Sequence, residues 1–514
     1  MNQLVNHWIR VLRQLLLRFV SSCERRFGGA LLIAIMWVGQ PVLVHAQPVG
    51  IPTIGAASSA ELSPQLEALL GDAIMEEGRR DPSYIDEIYI NQYLTDMGQR
   101  LVQAAPININ QKIRVFAIRD PSINAFALPG GYIGINSGLI AASHSEAELA
   151  SVLAHEIAHV GQRHVARGMT QSAQTNHAMM AALAGAVLAA LSGSADLAMG
   201  VAAFGQAAAI DRQLGFSRQA EQEADRIGFQ MLSQAGYDPR GMAKMFQRLM
   251  QSARLNEPPR GSYASTHPLS SQRQSDIENR IAHAPTKGAY YHNDDFWFVR
   301  AATRVVQARG GQPLQQLLQQ FDADTHSANP LEQAAAFYGK AFVAFKRKDY
   351  EDSLKFIKQA RAQADNAALD ILEIQVLLEQ GQIQSAVRLA QQAWQRWPKQ
   401  QALALEYTKA LQAQGQDEQL IQFLRARIAE WPDEPQWYQW IAQSYERMGQ
   451  AVAARTSMAE YYERVGALPA AIEQLRQARH LSHDFYEQSR LDVRIRELQD
   501  RMQRQREMLS RFKG

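Results

Sequence analysis

Hydrophobic positions in the first 300 residues follow two different periods. Residues 66–104, 146–167 and 218–234 have helical spacing, with apolar side chains on one face. Three short runs between the first two stretches, 113–118, 125–128 and 132–136, have the apolar or alternating pattern of strands. The pattern predicts a small sheet between helices, within one mostly helical α+β domain over residues 65–309.

The C-terminal part of the chain, residues 310–514, repeats itself. Three Gly-Gln pairs are spaced by 34 residues, at Gly381, Gly415 and Gly449. Thirty-four residues is the period of the tetratricopeptide repeat, in which each unit is a pair of helices. The next turn glycine, Gly466, follows after only 17 residues, so we expect one helix to serve two units. The spacing predicts an all-α array of about four repeats, a kind of surface that binds peptides or proteins.

Other residues fall where this repeat requires them. Lys348 lies 33 residues before Gly381 and is predicted to occupy the same turn position. The small residues Ala386 and Ala393 are expected where paired helices approach closely, and Pro398 is expected to close a unit.

The N-terminal 46 residues have the composition of an export signal. Five arginines and one acid precede an apolar stretch over residues 27–38, and the small residue Ala46 precedes Gln47. This order is typical of a cleavable secretory signal peptide, and the apolar stretch is shorter than the about 20 residues that span a bilayer. An uncleaved anchor and an organellar presequence are the alternatives. We expect a signal peptide over 1–46, a flexible lead-in over 47–64 and export to the periplasm.

Charge and cysteine content exclude several classes of function. The 53 basic and 51 acidic residues nearly balance, so there is no bulk electrostatic reason to expect a nucleic-acid partner. Cys23 is the sole cysteine, which rules out an internal disulfide and a zinc site built from cysteines.

A metal-binding motif lies inside the predicted helix 146–167. His155 and His159 frame an H-E-x-x-H pattern, which puts them about 40° apart and about 6 Å along the helix axis. Both imidazoles can therefore reach one metal ion, and Glu156 stands beside them as a general base. His164 would lie about 140° from His159 on a continuous helix, so we interpret it as a packing or hydrogen-bonding residue.

The third ligand of a catalytic zinc must come from another segment, because no suitable histidine follows on the same helix. Glu221 and Asp225 lie one turn apart on the predicted helix Arg218–Gln234. Glu221 can ligate the metal while Asp225 accepts the N–H of a ligating histidine. Glu223 lies on another face and is expected to be solvated. The alternative is an exposed acidic helix face without a metal.

Six segments together resemble the M48 family of zinc metallopeptidases. They are residues 124–133 (NAFALPGGYI), 138–140 (GLI), 148–150 (ELA), 155–160 (HEIAHV), 217–225 (SRQAEQEAD) and 265–268 (STHP). The resemblance implies a zincin-type domain that holds one Zn²⁺ per chain through His155, His159 and Glu221, with Glu156 as the base. With the signal peptide and the repeats, it also implies an envelope protease that acts on misassembled outer-membrane β-barrel proteins, alongside the barrel assembly machinery.

Two further residues gain interest from this resemblance, because the His-Pro loop of the family faces the metal. His267 is either a fourth ligand that blocks the site or a donor to the oxyanion. Arg273, six residues later, is a candidate to stabilise the oxyanion.

Two segments admit more than one interpretation. The apolar stretch 178–191 is either a buried helical hairpin or a mobile flap near the cleft. Residues 126–136 form a candidate edge strand for an extended substrate. The predicted function is a zinc endopeptidase joined to a repeat array; the alternative is a chaperone or adaptor whose zinc site is structural or held closed.

Overall fold

The computed structural model describes residues 63–164, 167, 216–255, 263–284 and 289–510. The predicted signal peptide, nearly all of the predicted lead-in and the apolar stretch 178–191 lie outside these residues. Among the described residues, no helix combines the length and apolar character that a membrane crossing requires.

A three-stranded sheet follows two helices at the start of the described chain. These helices are α1 (Pro64–Gly78) and α2 (Ile88–Gln103), and the strands are β1 (Arg114–Ile118), β2 (Ala125–Leu128) and β3 (Tyr132–Asn136). Strand β3 is central, parallel to β1 and antiparallel to β2. All three predicted strands are present. Of the candidate edge segment 126–136, β2 lies at an edge of the sheet, whereas β3 is central, because the chain reverses at Pro129–Gly131.

The helix that carries the H-E-x-x-H motif packs beneath this sheet. After the short α3 (Ser137–Ala142) comes α4 (Glu146–Gly161). Its N-cap is Ser145, whose hydroxyl accepts a hydrogen bond of 3.3 Å from the Glu148 amide. The helix ends six residues before the predicted Arg167. Arg163 adopts a left-handed backbone with φ of 53°, and its side chain is bound by Glu67 of α1. This break changes where His164 lies.

Helix α5 (Arg218–Gln234) has the predicted bounds and packs across α4. A Cβ atom at Gly228 would meet the backbone of Ala154 and His155 at about 3.2 Å. Glycine at this position therefore lets the two helices approach closely. The other helices that the structure describes in this part are α6 (Arg240–Leu255), α7 (Tyr263–Thr266), α8 (Ser271–His283) and α9 (Asp295–Gln307).

The C-terminal part is an array of paired helices, as the 34-residue period predicted. After α10 (Gly311–Asp324), residues 330–510 form ten further helices: α11 (Pro330–Lys346), α12 (Tyr350–Gln363), α13 (Ala367–Glu379), α14 (Ile383–Arg396), α15 (Gln401–Ala413), α16 (Asp417–Glu430), α17 (Pro435–Arg447), α18 (Ala451–Arg464), α19 (Leu468–Leu481) and α20 (Phe485–Ser510). Helix α18 packs against both α17 and α19, an arrangement compatible with the expectation that one helix serves two units.

The backbone conformation at the turns of the repeat favours glycine. Gly381, Gly415 and Gly449 have φ values of 71°, 75° and 73°, a region that other residues rarely adopt. Lys348 occupies the equivalent turn with φ of 66°, as its spacing predicted. Ala386 and Ala393 are fully buried between helices.

The array and the sheet-containing part share one hydrophobic core. Phe298 of α9 is fully buried and belongs to the same cluster as Ile90 of α2 and Phe342 of α11. Asp295 joins the two parts by accepting from Tyr89 at 3.1 Å, from Asn366 at 2.7 Å and from Gln400 at 3.1 Å. The division predicted at residue 309 falls in the short connection between α9 and α10, but apolar packing continues across it.

Candidate active site

Helices α4 and α5 bring the predicted metal ligands together. Nε2 of His155 lies 2.9 Å from Nε2 of His159, and each of these nitrogens is 3.4–3.5 Å from an oxygen of Glu221. All three side chains are buried. The one-turn spacing of the histidines and the close approach at Gly228 produce this arrangement.

His267 completes the cluster from the connection between α7 and α8. Its Nδ1 lies 3.0 Å from Oε1 of Glu221 and 3.4 Å from Nε2 of His155. Four donor atoms, one each from His155, His159, Glu221 and His267, thus lie within 4.8 Å of one another.

The donor set fits a zinc ion. A tetrahedral ion with bonds of about 2.0–2.1 Å separates its ligand atoms by roughly 3.3–3.4 Å. The close pairs in the cluster are 2.9–3.5 Å apart. Three imidazoles and one carboxylate, without thiolates, are donors that zinc accepts.

Glu156 lies beside the cluster, as the motif predicted. Its carboxylate is buried, and Oε1 is 3.4 Å from Nε2 of His267. His267 therefore lies between the predicted base and the predicted ligands, with one ring nitrogen toward each.

Asp225 makes the contact that its spacing from Glu221 predicted. Its Oδ1 lies 3.0 Å from Nδ1 of His155, the nitrogen opposite the one that faces the cluster. This contact fixes the ring orientation and directs Nε2 toward the ligand atoms.

The guanidinium of Arg273 is occupied by the acids of α5. It donates to both oxygens of Asp225 at 2.7 and 2.8 Å, and Nη1 lies 2.7 Å from Oε2 of Glu221 and 2.9 Å from the Pro268 carbonyl. These contacts favour an orienting role for Arg273 over the predicted role as an oxyanion donor, since most of its N–H groups are already used.

The helix break at Arg163 brings His164 under His159. Nδ1 of His164 lies 2.8 Å from Nδ1 of His159, and its Nε2 lies 3.3 Å from Oε2 of Glu223. The packing and hydrogen-bonding interpretation of His164 is confirmed. Glu223 lies on another face of α5, as expected, and remains one-third exposed, but its carboxylate also contacts His164 and Arg167.

Two aromatic residues that sequence reasoning missed enclose the ring of His267. Tyr263 stacks on it at a centroid distance of 4.3 Å, and Phe216 lies on the other side at 5.6 Å and packs on His159 at 4.0 Å. A sequence signal existed for both. Phe216 directly precedes the N-cap Ser217 of the ligand helix, and Tyr263 lies one helical turn before His267.

Burial and charge set the protonation of the cluster. Burial lowers the pKa of His159 well below its usual range and also lowers that of His267. Burial opposes ionisation of Glu221, but the neighbouring histidines, His267 foremost, hold its pKa far below the ordinary value. For His155 the lowering by burial is outweighed by bonds to Asp225 and Glu221, which raise its pKa to about 9. Neutral His159 and His267 and ionised Glu221 are in the forms that bind a metal, whereas His155 must release its proton when a metal binds.

Comparison with known proteins supports the same interpretation. The family described as Peptidase family M48 matches residues 90–281, and a tetratricopeptide repeat family matches residues 377–444. The Beta-barrel assembly-enhancing protease of Escherichia coli (strain K12) is 30% identical over 480 residues, covering 92% of this chain and 96% of that protein. The protein of the same name from Yersinia pestis is 29% identical over 494 residues, or 91% and 97%. The Mitochondrial metalloendopeptidase OMA1 of Arabidopsis thaliana is 36% identical over 159 residues, or 31% and 30%.

Proposed function

The chain belongs to peptidase family M48, and on that premise we propose that it is a zinc endopeptidase of the bacterial cell envelope. Its substrates are misassembled outer-membrane β-barrel proteins, and its repeat array assists their assembly. The observation that carries the proposal is the buried cluster of His155, His159 and Glu221 with Glu156 beside it. The name that both of these relatives carry supports the link to β-barrel assembly.

Glu156 is the proposed base. Its carboxylate accepts a proton from the attacking water and returns it to the amine nitrogen as the peptide bond breaks. Zinc, when bound, polarises the scissile carbonyl and acidifies water. Asp225, held by Arg273, keeps His155 oriented toward the ligand cluster.

Strand β2, which lies at an edge of the sheet among the described strands, is the proposed substrate-pairing strand. Asn136 donates to the carbonyl of Asn124 at 3.0 Å, so residues 124, 126 and 128 face β3 through their backbone groups. The backbone groups of Ala125 and Ala127 then point away from β3. An extended peptide that pairs there runs beside the helix that carries Glu156.

His267 is the proposed restraint on the resting site. Its ring is fully buried, lies within 3.0–3.4 Å of Glu221, His155 and Glu156, and is held between Tyr263 and Phe216. A side chain in this position occupies the fourth metal position that an open catalytic site leaves for water. Activity therefore requires His267 to leave.

Cleavage assays with the full chain and its Glu156→Gln variant test the proposal. We expect the zinc-loaded wild-type chain to cleave an unfolded outer-membrane barrel protein and to spare the folded barrel. Glu156→Gln removes the base and no ligand, so it should keep its zinc and lose cleavage. Equal cleavage by both proteins, or loss of zinc from Glu156→Gln, would contradict these roles.

A second function, as a chaperone or adaptor, is favoured by the closed position of His267. In that case the chain binds unfolded barrels through its array, and the metal site stays shut. The expected result is assembly support that is equal in wild type and Glu156→Gln, with no cleavage by either protein and about one zinc in each.

A further inference from the structure

His159 has its own chain of polar contacts, separate from the one that serves His155. Nδ1 of His159 meets Nδ1 of His164 at 2.8 Å, and Nε2 of His164 meets Glu223 at 3.3 Å. His164 is buried, and Arg167 lies 3.4 Å from the same Glu223 oxygen.

The contacts permit one consistent arrangement of protons. Nε2 of His159 faces Glu221 and the other ligand atoms, so a ligating His159 carries its proton on Nδ1. Among the residues that the structure describes, Nδ1 of His164 is the hydrogen-bond partner of that nitrogen, so it must accept the proton. A neutral His164 then carries its own proton on Nε2 and donates it to Glu223.

The backbone conformation after α4 brings His164 into contact with His159. On a continuous helix His164 would point about 140° away from His159. The left-handed Arg163 ends α4 instead, and the ion pair of its side chain with Glu67 ties this turn to α1. A non-glycine residue in this conformation carries a backbone cost that the surrounding contacts must offset.

We propose that His164 and Glu223 are positioning residues that orient His159 as a metal ligand, in parallel with Asp225 and Arg273 for His155. The proposal rests on the proposed metal role of His159. His164 accepts the Nδ1 proton of His159, and Glu223 fixes the tautomer that allows it. Neither residue touches the substrate. The site then has two independent supports, one for each histidine of the motif.

Zinc affinity provides the first test, measured by competition with a chromogenic chelator in the Glu156→Gln background to prevent self-cleavage. His164→Leu and His164→Asn form a matched pair, because both are similar in size and only asparagine has an acceptor near the position of Nδ1. We expect His164→Leu to lower zinc affinity by about 10–100-fold and His164→Asn to recover most of the loss. The zinc affinity of Glu223→Gln should stay near that of wild type, because the amide oxygen still accepts a hydrogen bond. The zinc affinity of Glu223→Leu should be lower. The exposed His292→Leu serves as the control.

Nitrogen NMR of histidine-labelled wild-type chain tests the tautomer without any substitution. We expect a neutral His164 with its proton on Nε2. A proton on Nδ1 of His164, or equal zinc affinity in His164→Leu and wild type, would overturn the proposal. A wild-type chain that binds no zinc would contradict the proposed function instead, and the nitrogen signals of His164 would still test the contact with Glu223. If His164→Leu does not fold, His164→Asn and the NMR measurement decide.

Discussion

The backbone amide of Tyr263 donates a hydrogen bond of 3.1 Å to the carbonyl oxygen of Ile123. Ile123 leads into the edge strand β2. Tyr263 begins the one-turn helix α7, and its carbonyl accepts a hydrogen bond from the His267 amide. One hydrogen bond therefore joins the proposed substrate edge to the proposed restraint. A peptide that pairs with the edge competes for the Ile123 carbonyl, and this competition offers a physical route from substrate binding to release of His267.

His267→Ala should raise the basal cleavage of a short unstructured peptide. The substitution removes the blocking ring, and His155, His159 and Glu221 should retain the zinc. Peptide turnover and bound zinc are measured together, with the exposed His283→Ala as the control. If His267 is an oxyanion donor instead, turnover should fall by about 10²–10³-fold. A rate within about twofold of wild type would reject both roles.

Arg273→Ala should weaken zinc binding before it affects chemistry. Arg273 neutralises Asp225 and Glu221 in a buried setting, and its removal leaves only histidines beside these two acids. We expect zinc affinity to fall at least about tenfold, with kcat of the fully loaded enzyme reduced much less. A large loss of kcat with unchanged zinc affinity would restore the oxyanion role that the sequence suggested.

Gly228→Val should separate the ligand helix α5 from α4. The added atoms meet the backbone of Ala154 and His155, which cannot yield as a flexible side chain does. Overpacking of this kind costs about 1–3 kcal/mol, and here it moves Glu221 away from the histidines. Reduced zinc affinity and a lower Tm are expected, and Gln222→Val on the exposed face of the same helix is the control. Unchanged zinc binding in Gly228→Val would show that the close crossing is not needed.

Thermal unfolding should show the peptidase part and most of the array melting together. Phe298 is buried in the shared core, so Phe298→Ala should cost about 3–5 kcal/mol and lower the main transition. The last helices, α19 and α20, pack around a separate cluster that includes Leu475 and Leu498. Leu475→Ala should therefore affect a smaller, separate transition. Two independent calorimetric transitions, one for the part before residue 310 and one for the whole array after it, would contradict the shared core.

Glu146 should make stability fall as pH rises. Burial raises the pKa of this carboxyl to about 7, although Tyr93 and the Asn293 amide donate to it. The folded state therefore holds a proton that the unfolded state releases near pH 4.5, and the resulting stability is present at low pH and lost between about pH 4.5 and 7. The loss is on the order of 3 kcal/mol.

Glu146→Gln should flatten this dependence, because glutamine does not titrate. The Tm is measured from pH 5 to 8, and Glu278→Gln on an exposed helix face is the control. A wild-type Tm that rises across the same range, or a slope that survives Glu146→Gln, would assign the effect to another group.

The sequence by itself determined the periodic and local features of this protein. The 34-residue spacing set the array because a left-handed turn that favours glycine must recur once per helix pair. The H-E-x-x-H spacing put His155 and His159 on one helix face, and the one-turn spacing of Glu221 and Asp225 assigned them neighbouring positions. These are consequences of helix geometry, which depends on residues close in the chain.

The tertiary structure alone decided what depends on chain reversal and on distant contacts. Strand β3 is central because β1 and β2 pair on both sides of it, and apolar alternation does not reveal pairing order. His164 and Glu223 meet because Arg163 ends its helix early, in a conformation stabilised by Glu67, 96 residues away. Arg273 reaches Asp225 and Glu221 only because α8 packs against α5. The array and peptidase share a core for the same reason, since buried apolar area joins segments without regard to their distance in sequence.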